Sequence, residues 1–259
     1  MPAPSAATFS RLADLIAIPD AAARPTKSIT EVFTGKELAT IPVGTAEDAE
    51  AAIARARVAQ KTWAKRPVAE RAEIFHRYRD LVLAHRDELM DMAQAETGKS
   101  RAAALEEVLD IAMTSRHYAR TAAKLLAPKR VTGMLPVLTK TRVRYQPKGI
   151  VGIISPWNYP MTLAVSDAIP ALLAGNGAVL KPDSQTPYCA LAVVELLYKA
   201  GLPRDLFPVV PGPGSVVGTA IVENTEYVMF TGSTKTGQLL AEQAGRRLIG
   251  FSAELGGKN

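Results

Sequence analysis

The sequence predicts an α/β fold: a parallel five-stranded sheet with helices on both faces, preceded by a helical cover. Three observations lead to it. From Gly149 onward, short apolar runs alternate with helix-length segments, the β-α-β rhythm that right-handed crossovers wind into a parallel sheet. Between Ala46 and Leu126 apolar residues recur with helical spacing instead, in three segments punctuated at Pro67 and Gly98. Glycine, proline and polar residues gather directly behind the apolar runs, at the carboxyl ends of the strands, where such sheets bind ligands.

The opening stretch, "MPAPSAATFSRLADLIAIPD", lacks the cationic segment, continuous apolar run and small-residue cleavage site of an export signal. Thr45, with Asp48 three residues on, resembles a capping box that opens "AEDAEAAIARARVAQKTWA". Pro67 takes the first position of the second helical segment, and Gly98 closes it. Ser100 caps "RAAALEEVLDIAMTSRHYARTAAKLL", which Pro128 follows. In "TKTRVRY" (residues 139–145), Lys140, Arg142 and Arg144 alternate with Thr141, Val143 and Tyr145, the two-residue period of an edge or interface strand.

Five sheet strands are expected: "GIVGIIS" (149–155), "GAVLKP" (177–182), "LFPVV" (206–210), "YVMFTG" (227–232) and "LIGFSAEL" (248–255). Gly175 and Gly201 stand where helix C-terminal caps belong. Behind the strands come "SPWNYP", "KPDSQTP", "PGPGSVVG", "TGSTKTG" and "ELGGKN", so all five loops carry glycine, proline or polar groups on the same edge.

Gly232 and Ser233 fall at a strand-to-helix turn, where free backbone N–H groups suit a phosphate. A nucleoside-triphosphate loop is excluded, because Gln238 and Leu239 follow Gly237 where that motif needs Lys and then Ser or Thr. Gly212, Gly214 and Gly218 miss the dinucleotide glycine fingerprint by one residue, and a tight turn accounts for either cluster equally well. Lys181 and Ser184 fall where adenine ribose recognition occurs in dinucleotide sheets; a lysine merely lying across the strand end is the equal alternative. Asn158, bracketed by Pro156 and Pro160, either donates to a developing oxyanion or serves as a turn residue.

Composition narrows the classes. With 47% hydrophobic and 22% charged residues in 259, the chain has an ordinary globular balance. The longest uncharged stretch, 149–166, contains Gly152, Pro156 and Pro160, which argues against a membrane helix. One cysteine, Cys189, excludes a disulfide framework and places the chain in a reducing compartment, read as cytoplasmic; in its helix, it reads as an inert buried thiol. The net charge of +6 divides into +7 over 1–148 and −1 over 149–259. Nine cations and no acid lie between Asp110 and Asp167, but with little aromatic surface among them, so no nucleic-acid partner is expected. His76, His85 and His117 have no metal-ligand spacing, and no metal is expected.

Taken in order, "PWNYP", "KPDSQTP", "FTGSTKTG" and "AELGGK" resemble the aldehyde dehydrogenase superfamily over nearly the whole chain. The resemblance implies a Rossmann-like NAD(P)-binding sheet at 148–259, an N-terminal helical part at 1–129 and an oligomerisation ribbon at 130–147, hence a homo-oligomer acting on a small aldehyde. It implies Asn158 as oxyanion donor and Glu254 as the general base that hydrolyses the acyl-enzyme. The cofactor would contact Ile154, Ser155, Pro156, Trp157, Lys181, Ser184, Gly212, Gly214, Phe230, Gly232, Ser233, Leu255 and Gly256. NADP is expected over NAD, since Ser184 beside Lys181 does not repel a 2′-phosphate. The family's nucleophilic cysteine lies a few dozen residues beyond the glutamate motif, so the chain is expected to be truncated before it, without a catalytic domain and inactive alone. "KPDSQTP" and "VVPGPGSVVG" look most like succinate-semialdehyde dehydrogenases, although Ser166 and Asp167 stand where those enzymes often carry a carboxylate-binding arginine.

Overall fold

The computed structural model describes residues 4–135 and 137–257. Helix α1 (Ala6–Ala13) leads to an antiparallel hairpin of β1 (Thr26–Thr30) and β2 (Glu37–Pro42). Four helices follow: α2 (Ala46–Trp63), α3 (Val68–Ala84), α4 (Arg86–Thr97) and α5 (Arg101–Leu125). The capping box at Thr45 is present in both directions, with Thr45 N donating to Asp48 Oδ2 at 2.9 Å. Pro67 sits one residue ahead of α3 rather than in it. The second helical segment of the sequence is two helices, broken at His85 (φ −96°, ψ 16°) without the glycine or proline that would have marked it. Gly98 ends α4 at φ +71°, a left-handed cap that a side chain would strain.

Strands β3 (Lys129–Val131) and β4 (Thr141–Val143) form a separate exposed antiparallel pair, shorter than the alternation over 139–145 suggests. The main sheet comprises β5 (Ile150–Ile154), then, after α6 (Thr162–Val165) and α7 (Ala168–Leu173), β6 (Gly177–Lys181). After α8 (Pro187–Lys199) and α9 (Thr219–Asn224) come β7 (Tyr227–Gly232), α10 (Thr234–Arg246) and β8 (Gly250–Leu255). Strand order is β6-β5-β7-β8, all parallel.

The sheet therefore has four strands, not five. Residues 206–210 lie beside β6 but join it only through a bridge at Val209, with Leu180 N donating to Pro208 O (3.0 Å) and Val210 N to Leu180 O (2.9 Å). Pro208 has no N–H to extend a ladder, and Pro211 ends the segment. On its other side Val209 bridges Ile16, so its backbone is satisfied without becoming a strand.

From β5 the chain moves outward through α6 and α7 to β6 and through α8 to the 206–210 segment beside it, then returns through α9 to β7, so right-handed crossovers place α6, α7 and α8 on one face and α9 on the other. Gly152 lets α9 approach: a Cβ there would run into the Ile221 side chain. Helix α8 is buried without interruption from Pro187 to Leu197, which accounts for the N-terminal helices: they cover an element buried on every side, and Arg11 of α1 pairs with its Glu195. Its first free amides are capped from α4, with Tyr188 N and Cys189 N donating to the Glu96 carboxyl at 3.0 and 2.7 Å.

Burial pushes the Glu96 carboxyl up to about 7, against the opposing effect of hydrogen bonds from Cys189 and Tyr188. The folded state then holds this proton more tightly than the unfolded chain. Its stabilising contribution is complete below the ordinary glutamate value of about 4.3 and is lost as pH rises through 7. Melting temperature followed by circular dichroism should fall between pH 5 and 7.5, and Glu96→Gln should flatten that fall; parallel curves for the two proteins would contradict it.

Candidate functional site

The register Ile154↔Phe230↔Ala253 brings the ends of β5, β7 and β8 to one edge of the sheet. Asn158 follows β5, Gly232 and Ser233 follow Phe230, and Glu254 and Leu255 finish β8. With strands about 4.8 Å apart, β5 and β8 are separated by roughly 10 Å, the width of a small ligand.

The Asn158 loop is held from below. Lys99 Nζ donates to the Asn158 carbonyl at 2.9 Å and lies 4.7 Å from the centre of the Tyr159 ring. Lys99 also pairs with Glu107, whose side chain is fully buried and accepts from Met161 N (2.9 Å) and Thr162 N (3.1 Å). Asn158 Oδ1 accepts from Tyr159 N at 3.1 Å, which turns the Nδ2 donors away from the backbone. Trp157 and Tyr159 are exposed on either side.

Glu254 is exposed on β8 and pairs in register with Thr231. Asp167, just ahead of α7, faces it electrostatically: burial foremost, then the Glu254 charge, pushes the Asp167 carboxyl up to about 6. Asp167 therefore brings a carboxyl rather than a cation to this position.

Among the residues expected to meet a cofactor, Ser155 is buried and its hydroxyl has no partner among the described residues, an orphan that a bound molecule at the β5 end would satisfy. Ile154 and Phe230 are buried beneath it, and Pro156 is half-buried. Ser233 caps α10, accepting from Thr236 N at 3.3 Å, so its hydroxyl is engaged locally while the helix end faces the edge. Gly256 N donates to Gly232 O (3.2 Å), and Thr234 Oγ1 to Gly256 O (3.2 Å), which ties the α10 start to the end of β8. Leu255 and Gly256 are exposed.

At the other end, Lys181 is 5% exposed, with Nζ donating to Pro182 O at 3.0 Å. Burial lowers its pKa, Asp183 opposes that, and Lys27 lowers it further. Ser184 and Gly212 line a cavity of about 220 Å³. Gly212 is required by packing, since a Cβ would meet Gly44 O at 2.9 Å; Gly214 faces open space. This end therefore satisfies a steric need at Gly212 whatever binds beside it.

Three participants escaped sequence reading. Glu107 lies in α5 and Lys99 between α4 and α5, with no local pattern to mark either, and only the buried approach of the 158–162 loop reveals them. Lys27 sits on β1, whose alternating "TKSIT" and the turn before "ELATIP" were the available signal. Cys189 is fully buried; burial and the adjacent Glu96 charge push its thiol up, as befits a packing residue. No helix among the described residues is long and apolar enough to cross a membrane.

The aldehyde dehydrogenase family matches residues 19–259. A Mycolicibacterium smegmatis protein with the provisional name succinate-semialdehyde dehydrogenase (NADP+) is 71% identical over all 259 residues, which cover 50% of that protein. A Mycobacterium tuberculosis protein with a matching provisional name is 67% identical, with the same coverage. Among solved structures, betaine aldehyde dehydrogenase from Staphylococcus aureus in complex with NAD+ superimposes with a TM-score of 0.88 at 28% identity, over 97% of this chain and 53% of that one. An Escherichia coli NADP-dependent enzyme gives 0.87 at 34% identity, over 90% and 48%. The chain spans about half the length of the curated relatives it matches.

Proposed function

Because the chain belongs to the aldehyde dehydrogenase family, we propose that it forms the nucleotide-binding part of an NADP-dependent aldehyde oxidiser, with succinate semialdehyde as the substrate its relatives' names favour. The observation that carries this reading is the pinned Asn158. Its Oδ1 is occupied by Tyr159 N and its carbonyl by Lys99, leaving Nδ2 to donate to an incoming carbonyl oxygen on the edge that Glu254 shares.

In this reading Asn158 stabilises the oxyanion formed when a thiolate attacks the aldehyde. Glu254 later takes a proton from the water that hydrolyses the thioester. Bound NADP+ would accept the hydride released between these two steps. Ser155, Trp157, Ser233 and the amides opening α10 would hold its pyrophosphate region, Lys181 and Ser184 its adenosine, and Leu255 with Gly256 would border the nicotinamide. The orphan Ser155 hydroxyl and the cavity beside Ser184 support that fit. The thiolate must come from elsewhere than Cys189, which is sealed in α8. Alone, the chain would act as a nucleotide-binding module.

The exposed Val131, Met134, Leu138 and Val143 around β3 and β4 support reading 130–147 as a ribbon that pairs subunits, with 1–129 and 148–259 forming the nucleotide-binding body. The test is reconstitution. The chain alone should bind NADP+ without reducing it in the presence of succinate semialdehyde. Joined to the C-terminal half of the M. smegmatis relative, it should turn over. A joined protein that folds and binds NADP+ but oxidises no aldehyde would refute the reading.

A further inference from the structure

The cavity beside Ser184 is lined by Lys27 from β1, Ile41 and Val43 from the β2 side, Pro187, and Gly212. Lys27 is its one charged lining residue, and no carboxylate lines it. The position of Lys27 is set by the hairpin, in which it pairs with Ile41 of the same cavity wall. Lys181 is buried nearby without lining the cavity, and Asp183 acts on its charge more strongly than Lys27 does.

A single cation in a lining without an acid creates a positive potential that an anion would relieve. Asp183 does not fill that role at the cavity: its Oδ1 accepts from Gln185 N at 2.9 Å within its own turn. The adjacent start of α8 cannot serve an anion either. Pro187 has no N–H, and the amides of Tyr188 and Cys189 already donate to Glu96. Recognition is left to side chains. The Ser184 hydroxyl is available, since its contact to Gly212 O, at 3.5 Å, is at the outer limit of a hydrogen bond.

We propose that Lys27 binds the 2′-phosphate of NADP, with the Ser184 hydroxyl in the same cavity wall, and so selects NADP over NAD. The inference rests on the nucleotide-binding reading above. A phosphate monoester carries about −1.5 to −2 charges at neutral pH, which the Lys27 ammonium would partly balance. NAD, with a ribose hydroxyl there, leaves the Lys27 charge without a counterpart in the cavity.

Calorimetry on the whole chain with NADP+, NAD+ and 2′,5′-ADP tests it. Lys27→Met should weaken NADP+ and 2′,5′-ADP about tenfold, the loss of one charge-assisted contact, and leave NAD+ within about twofold. Lys27→Arg should keep most of the NADP+ affinity. Added salt should narrow the NADP+ preference of the unaltered chain more than that of Lys27→Met. Because Lys27 is exposed, circular dichroism should find both variants folded. An unaltered chain that prefers NADP+, with Lys27→Met keeping that preference, would remove Lys27 from the site and leave nucleotide binding standing. Equal affinity for both dinucleotides would overturn 2′-phosphate selection, whereas binding of neither would overturn the nucleotide reading itself.

Discussion

Glu254→Gln, in the chain joined to a relative's C-terminal half, is expected to lower steady-state aldehyde oxidation by about 10²–10⁴-fold, the usual contribution of a general base. NADP+ affinity should stay within about twofold, because the residue is exposed at the end of β8 and the carboxamide nearly conserves its shape. As the general base proposed above it would act only in the second half-reaction, so rapid mixing should still give a burst of NADPH equal to the enzyme concentration before turnover stalls. Loss of the burst together with turnover would place Glu254 in acylation instead. Unchanged turnover would remove it from the chemistry.

Glu107→Ala is expected to have the largest effect on stability. The Glu107 side chain is fully buried and Lys99 is 12% exposed, so removing the carboxylate leaves a poorly solvated ammonium. It also strands the amides of Met161 and Thr162. Breaking one partner of such a pair costs about 3–5 kcal/mol, which for a chain of this size lowers the melting temperature by roughly 10 °C. Glu107→Gln keeps one acceptor for those amides and should cost about half as much. In the joined enzyme it should depress kcat more than it raises KM, because the loop it releases carries Asn158, the proposed oxyanion donor. A Glu107→Ala protein melting within about 2 °C of the original would show that this network does not hold the loop.

Much of the fold can be read locally. The capping box at Thr45, the left-handed glycine at Gly98 and the Ser100 cap each depend on residues within one turn of themselves, and each is present. Strands β5, β6 and β7 are apolar runs bounded by glycine or polar residues, signals strong enough to fix their positions within a residue or two. The failures are equally physical. "LFPVV" has the composition of a strand, yet Pro208 and the competing bridge to Ile16 hold it to one paired residue. The break at His85 carries no local marker, and β1 with β2 escaped because both are largely exposed and mix polar with apolar residues, so neither gives the continuous apolar run of β5 or β6.

The chain by itself determined the β-α-β order, the family resemblance and the residue types at each strand end, because those properties reside in short stretches and their sequence. Tertiary structure alone decided which side chains act on one another across long separations. Glu107 reaches the Asn158 loop from a helix more than fifty residues earlier, Glu96 caps α8 from α4, and Lys27 stands in the wall shared with Ser184. Such contacts follow from how covering helices and the hairpin dock on the sheet, and docking depends on summed burial over many residues rather than on any local pattern.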